Sequence, residues 1–150
     1  MRKKKLPEHP MSERLGYVLK RAQHGLRTSI DDQLSPLGLT TAQYNLLSAV
    51  AVEPGISNAA LARMAFVTAQ SMQGIVANME RQGLVRRAPH PTHGRIRQSK
   101  LTRKGTDLLT RAHEVLIGIE EKMTAGLSEE EVEALRLALL RCAENMQVAP

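Results

Sequence analysis

Twenty-six consecutive residues, 81–106, hold eight Arg or Lys and no Asp or Glu. The cations (Arg81, Arg86, Arg87, Arg95, Arg97, Lys100, Arg103, Lys104) frame a tip rich in Pro, His and Gly, Pro89-His-Pro-Thr-His-Gly94. On either side, Leu84–Ala88 and Gln98–Leu101 have the length of two short strands able to pair as a hairpin. Two short helices with their own capping residues come directly before. Positive charge without nearby carboxylates attracts phosphate. A basic hairpin placed just after two short helices is how a winged helix-turn-helix meets a nucleic-acid backbone.

The charge of the chain is segregated. Residues 1–106 contain seventeen basic and six acidic side chains, whereas residues 107–150 contain four and nine. A positive field confined to one part of the molecule suggests a polyanionic partner there and a different task for the rest. A solvated basic surface without a partner is the alternative on charge alone. The 150 residues suit one domain, with 1–10 a disordered basic arm and 11–150 a single unit. One cysteine excludes an internal disulfide framework and fits a cytoplasmic location. Neither a signal-peptide core nor an apolar run of membrane-spanning length is present, so no membrane partner is expected.

Six helical segments are legible. The first, about 12–34, repeats Leu15, Val18, Leu19, Ala22, Leu26 and Ile30 at steps of three and four and ends at Pro36 and Gly38. Thr40 and Gln43 have capping-box spacing and open a second helix that stops at Pro54-Gly55. Ser57 caps a third, with Leu61 and Met64. Thr68 caps a fourth, from about Ala69 to Gln82, closed by Gly83. A fifth is expected from Thr106 to about Ala125. Ser128 and Glu131 form a second capping box before a sixth that carries Leu135, Leu139, Cys142 and Met146. The fold expected is mainly α with a small β wing: a winged helix-turn-helix at about 40–105 and dimerisation helices at about 12–34 and 106–146. The apolar stripes of the first, fifth and sixth helices exceed what a small winged core needs and could pack on a second copy with two-fold symmetry.

On the fourth helix, Met72, Ile75, Val76 and Met79 should face the core, leaving Gln70, Ser71, Gln73, Ala77 and Asn78 outward. No residue from Val67 to Met79 is charged. An ordinary exposed helix carries Glu or Lys, whereas a helix in the major groove avoids carboxylates and reads base edges with amides and hydroxyls. A helix buried on both faces is the bland alternative, which the hydroxyl and amide content disfavours. Thr68, Gln70, Ser71, Gln73 and Asn78 are the candidate base-reading group. Arg63, Arg86, Arg95, Arg97 and Lys100 are the candidates for the wing and the phosphate backbone.

The ordered set Gly38-Leu-Thr-x-x-Gln43, Leu61-Ala62, Gly83-Leu-Val85 and Leu101-Thr102-x-x-Gly105 resembles the MarR family of bacterial transcriptional regulators. The resemblance runs from the first helix to the end of the sixth. It implies a homodimer joined by helices one, five and six, binding double-stranded DNA at a pseudo-palindromic operator as a sequence-specific repressor released by a small aromatic or anionic effector. Such effectors sit between the dimerisation helices and the DNA-binding lobe, so Tyr17, Arg21, His24 and Arg27 on the first helix are candidate ligand residues. Two departures stand out. Family members usually have Asp in the wing where this chain has His93, next to the basic residue matched by Arg95. An Arg often occupies the position of Gly74. Glycine there either permits close approach of backbone to DNA or is simply tolerated.

Rival readings find less support. The five histidines are not accompanied by the converging Cys or acidic ligands of a metal site, so neither a metal nor a cofactor is expected. Cys142, on the apolar stripe of the last helix, reads as a small core residue rather than an oxidant sensor. No nucleophile–base pair, phosphate-cradling Gly loop or carboxylate pair suggests an enzyme. A constitutive, weakly sequence-specific architectural nucleic-acid-binding protein is the alternative. Among its aromatics, Tyr17, Tyr44 and Phe66, none lies in the basic segment, which leaves single-strand stacking poorly supplied.

Overall fold

The computed structural model describes residues 10–89 and 97–146. A short 3-10 turn leads into α1 (Leu15–Leu34), followed by α2 (Thr41–Val52), α3 (Asn58–Met64), α4 (Ala69–Arg81), β1 (Val85–Pro89), β2 (Arg97–Leu101), α5 (Arg103–Met123) and α6 (Glu129–Asn145). The two strands pair antiparallel, with Val85 opposite Leu101 and Arg86 opposite Lys100.

The caps form as their spacing predicts. Thr40 Oγ1 accepts from the Gln43 N–H (3.3 Å), and Gln43 Oε1 accepts from the Thr40 N–H (2.9 Å). The Ser128–Glu131 box closes in the same way. Ser57 and Thr68 each accept the backbone N–H three residues on. α3 and α4 then end in one motif. In α4, Gly83 takes φ 70° while the Leu84 N–H donates to Met79 O and the Gly83 N–H to Glu80 O. In α3, the Val67 N–H donates to Ala62 O and the Phe66 N–H to Arg63 O, but the left-handed position is filled by Phe66, with φ 53°. A bulky side chain pays for that conformation, and here its ring is 79% exposed.

The core lies between α2, α3, α4, the hairpin and α5. Leu46, Leu47, Val50, Leu61, Met72, Val76, Met79 and Val85 are buried, and Ala112 and Leu116 of α5 seal the other side. Of the α4 residues expected inward, Met72, Val76 and Met79 are buried and Ile75 is partly buried against the core.

The fifth helix departs from the sequence reading. It begins at Arg103, three residues before Thr106, because Thr102 is its N-cap. Thr102 Oγ1 accepts from the Gly105 N–H (3.0 Å) and donates to Gly83 O (2.6 Å), and the Thr102 N–H donates to Leu84 O (3.0 Å). Gly105 sits so close beneath that a Cβ on it would lie 2.0 Å from Leu84 O. The Gly83-Leu-Val85 and Leu101-Thr102-x-x-Gly105 segments are therefore two halves of one clasp, fixing the root of the hairpin to α5.

α1 and α6 contribute little to this core. Leu34 is the buried residue of α1, and α6 has none. Leu15 is 76% exposed, Val18 and Leu19 nearly half. Leu135, Leu139 and Leu140 are also uncovered. Cys142 is exposed as well, a correction to its reading as a core residue. Helical periodicity identified an apolar face; among the described residues of a single chain, much of it is uncovered on α1 and α6.

Candidate nucleic-acid interface

α4 is held by its buried side, so its opposite face is fixed in direction. Gln70, Ser71, Gln73, Gly74 and Ala77 are exposed there, and Asn78 is half-buried. Thr68, also exposed, is largely committed to structure: its Oγ1 caps the Ser71 N–H and donates to Ser71 Oγ (2.8 Å). The Ser71 hydroxyl retains its own proton for donation outward. Gln70 and Gln73 keep amides suited to bidentate bonding along a base edge.

Exposed cations lie on the elements packed against α4. Arg63 is exposed in the last turn of α3, and Arg86 is exposed on β1 directly across from Lys100. The basic hairpin is nonetheless less positive than its residue count. Arg87 Nε donates to Glu80 Oε1 at 3.0 Å, which ties the end of α4 to β1 and balances one charge. The Lys104 ammonium donates to Gln82 O (2.9 Å) at the end of α4. The Gly55 N–H donates to Ser99 O (3.3 Å), fastening β2 to the α2–α3 turn. Arg95 and the side chain of Arg97 lie outside the described residues, as does His93.

Lys100 is placed differently from the other wing candidates. It is half-buried and lines a groove of about 680 Å³ between α2, β2 and α5, with Tyr44, Ser48, Leu101, Leu109 and His113. Tyr44 Oη and His113 Nδ1 stand 3.3 Å apart across it. Sequence reasoning missed this groove, whose key side chains are separated by up to 69 positions. The first-helix ligand candidates follow one another at steps of four, three and three along α1 and do not line this groove. Tyr17, Arg21 and His24 are exposed on α1. Arg27 lines a separate cleft with Gln23, Leu26, Asn45 and Phe66 and lies 3.7 Å from Asp31, which also accepts from Thr41 Oγ1.

On α6, Arg136 donates to both carboxylate oxygens of Glu133 (2.7 and 2.6 Å), holding that carboxyl below its ordinary range. Among the described residues, no three His, Cys, Asp or Glu converge as a metal site. His9, His90 and His93 lie outside them. No helix of the described residues is long and apolar enough to cross a membrane.

Residues 37–96 match the model of the MarR family. Over 114 residues, 76% of this chain and 82% of the relative, the sequence is 37% identical to the HTH-type transcriptional repressor Rv2887 of Mycobacterium tuberculosis. The chain belongs to the MarR family. Its fold agrees: the structure of Rv2887 in complex with salicylic acid superposes with a TM-score of 0.74 at 32% identity, covering 91% of this chain and 99% of that one. The structure of Rv2887 in complex with DNA superposes with a TM-score of 0.69, also at 32% identity, covering 86% and 97%. The two motifs at Gly83-Leu-Val85 and Leu101-Thr102-x-x-Gly105, separate in the sequence, are packed against each other in the clasp.

Proposed function

We propose that this MarR-family chain is a sequence-specific repressor that binds double-stranded DNA as a homodimer and responds to a small aromatic or anionic effector. One observation carries the DNA reading: the exposed face of α4 from Gln70 to Asn78 is uncharged and rich in amides, while the elements packed against α4 carry the exposed Arg63 and Arg86. Amides read bases where carboxylates would be repelled, and the cations hold the phosphates. Gln70, Ser71 and Gln73, with Asn78 at the edge, are the base readers, and the Thr68 cap orients the start of their helix. Arg63, Arg86, Arg95 and Arg97 hold the backbone. Residues 40–105 are the DNA-binding unit, and α1, α5 and α6 make the dimer, which covers the apolar faces of α1 and α6. The relative with salicylic acid bound supports an aromatic acid as effector.

The effector site is read from the groove between α2, β2 and α5. Tyr44 and apolar residues line its walls, and Lys100 brings a cation to it. A carboxylate gains from a half-buried ammonium, and a phenyl ring gains from Tyr44. Since β2 belongs to the wing and α5 leads to the dimer, a ligand wedged between them would bias the spacing of the two recognition helices away from the ~34 Å groove repeat.

Duplex selection from a random pool, followed by competition, tests this. The protein should recover a palindromic site and prefer it at least ~10³-fold over random duplex. Salicylate at millimolar concentration should release the wild type and not Lys100→Ala. Equal affinity for all duplexes would reject the regulator, and indifference to aromatic acids would reject the effector groove.

A further inference from the structure

The groove between α2, β2 and α5 has two unlike ends. Its α2 wall runs from Tyr44 to Val52 and its α5 wall from Thr106 to His113. At 1.5 Å of rise per residue, each wall is about 10–12 Å long. The Gly55 N–H bond to Ser99 O fastens the end of α2 beside Lys100, and α5 begins just after the same strand. The two helices therefore run antiparallel along the groove. Lys100 stands at one end and the Tyr44–His113 pair at the other. Between them the α5 wall has little for a polar ligand. Thr106 Oγ1 donates to Thr102 O and Thr110 Oγ1 to Thr106 O (3.1 Å each), so both hydroxyl protons are spent within the helix. Leu101 and Leu109 complete the apolar stretch. At the far end, His113 faces Tyr44 Oη through Nδ1, and its Nε2 has no partner among the described residues. Ser48 adds a hydroxyl one turn along α2.

We propose that Tyr44 and His113 are specificity-determining residues that hydrogen-bond a hydroxyl at the far end of the effector, so that the groove selects an elongated acid. This rests on the reading of the groove as the effector site. The acid carries a carboxylate for Lys100, an apolar chain and ring for the middle, and a distal hydroxyl. A phenol and a neutral imidazole can each donate and accept, so together they match a hydroxyl whichever ring nitrogen of His113 carries the proton. Salicylate has its carboxylate and hydroxyl on adjacent ring carbons and reaches one end of the groove only. An acid whose hydroxyl lies para to a short carbon chain ending in the carboxylate reaches both.

The experiment titrates the full-length protein, without DNA, with para-hydroxyphenylpropanoate, phenylpropanoate and salicylate in a calorimeter. The wild type should bind the hydroxylated acid about ten-fold more tightly than phenylpropanoate, the worth of one hydrogen bond, and more tightly than salicylate. In Tyr44→Phe and in His113→Ala that advantage should disappear, so that the two phenylpropanoates bind alike. Lys100→Ala should lose all three acids. A wild type that binds phenylpropanoate but gains nothing from the hydroxyl, or that prefers salicylate, would overturn the proposal and leave the groove reading standing. An advantage that survives in either variant would overturn the role of that residue. A wild type that binds none of the three acids would overturn the groove reading itself, and this proposal with it.

Discussion

Gly105→Ala should be among the most damaging small substitutions in this chain. Its Cβ would stand 2.0 Å from Leu84 O and 2.9 Å from Leu84 C. A carbon and a carbonyl oxygen approach no closer than about 3.3 Å, so the two segments must part by more than an ångström. Neither yields cheaply. Leu84 is 2% exposed with its side chain in the core, and Gly105 is the buried start of α5. Forcing extra volume into such a site costs about 1–3 kcal/mol. Displacing Leu84 O also breaks its bond from the Thr102 N–H, worth about 0.5–1.5 kcal/mol. The expected loss is about 2–4 kcal/mol, read from urea unfolding followed by circular dichroism at one fixed protomer concentration. Operator affinity should fall too, because the clasp aims the hairpin relative to α4. A variant within about 0.5 kcal/mol of wild type would refute the argument that this backbone contact is what requires glycine.

Phe66→Gly should do the opposite. Removing the side chain relieves a left-handed conformation and gives up little burial, so stability should rise by up to about 1 kcal/mol in a thermal melt; a fall would reveal a contact that outweighs the strain. Leu135→Glu with Leu139→Glu, both on the uncovered face of α6, should yield monomer by light scattering at micromolar concentration. Operator affinity should drop ~10²-fold or more as the two half-sites lose their linkage; an intact dimer would place the interface elsewhere.

Local signals in the sequence were enough for most of the architecture. Each cap joins residues three apart, so Thr40–Gln43, Ser57, Thr68 and Ser128–Glu131 marked their helices without tertiary information. The outward face of α4 followed from periodicity and from its lack of charge. What stayed hidden depends on distant partners. Thr102 caps α5 locally, through the Gly105 N–H, but its bonds to the Gly83 and Leu84 carbonyls, 19 and 18 positions back, are what no window shows. The groove of Tyr44, Lys100 and His113 is assembled from three elements, so no single stretch of sequence displays it. Arg87 counted as a free cation until Glu80 was seen beside it. Phe66 occupies a position where sequence rules look for glycine. Periodicity likewise showed that α6 has an apolar face but could not say whether the chain itself covers it.

The central claim is that α4 reads bases while the elements beside it hold the backbone, and it is tested by measuring Gln73→Ala and Arg86→Ala against a panel of single-base operator variants across a salt series. Gln73→Ala should lose about 1–3 kcal/mol at one base position and become indifferent to the base there. Arg86→Ala should weaken binding to every duplex alike and reduce the salt slope by about one. The account is contradicted if Gln73→Ala keeps the wild-type base preferences at every position, or if Arg86→Ala leaves both affinity and salt slope unchanged.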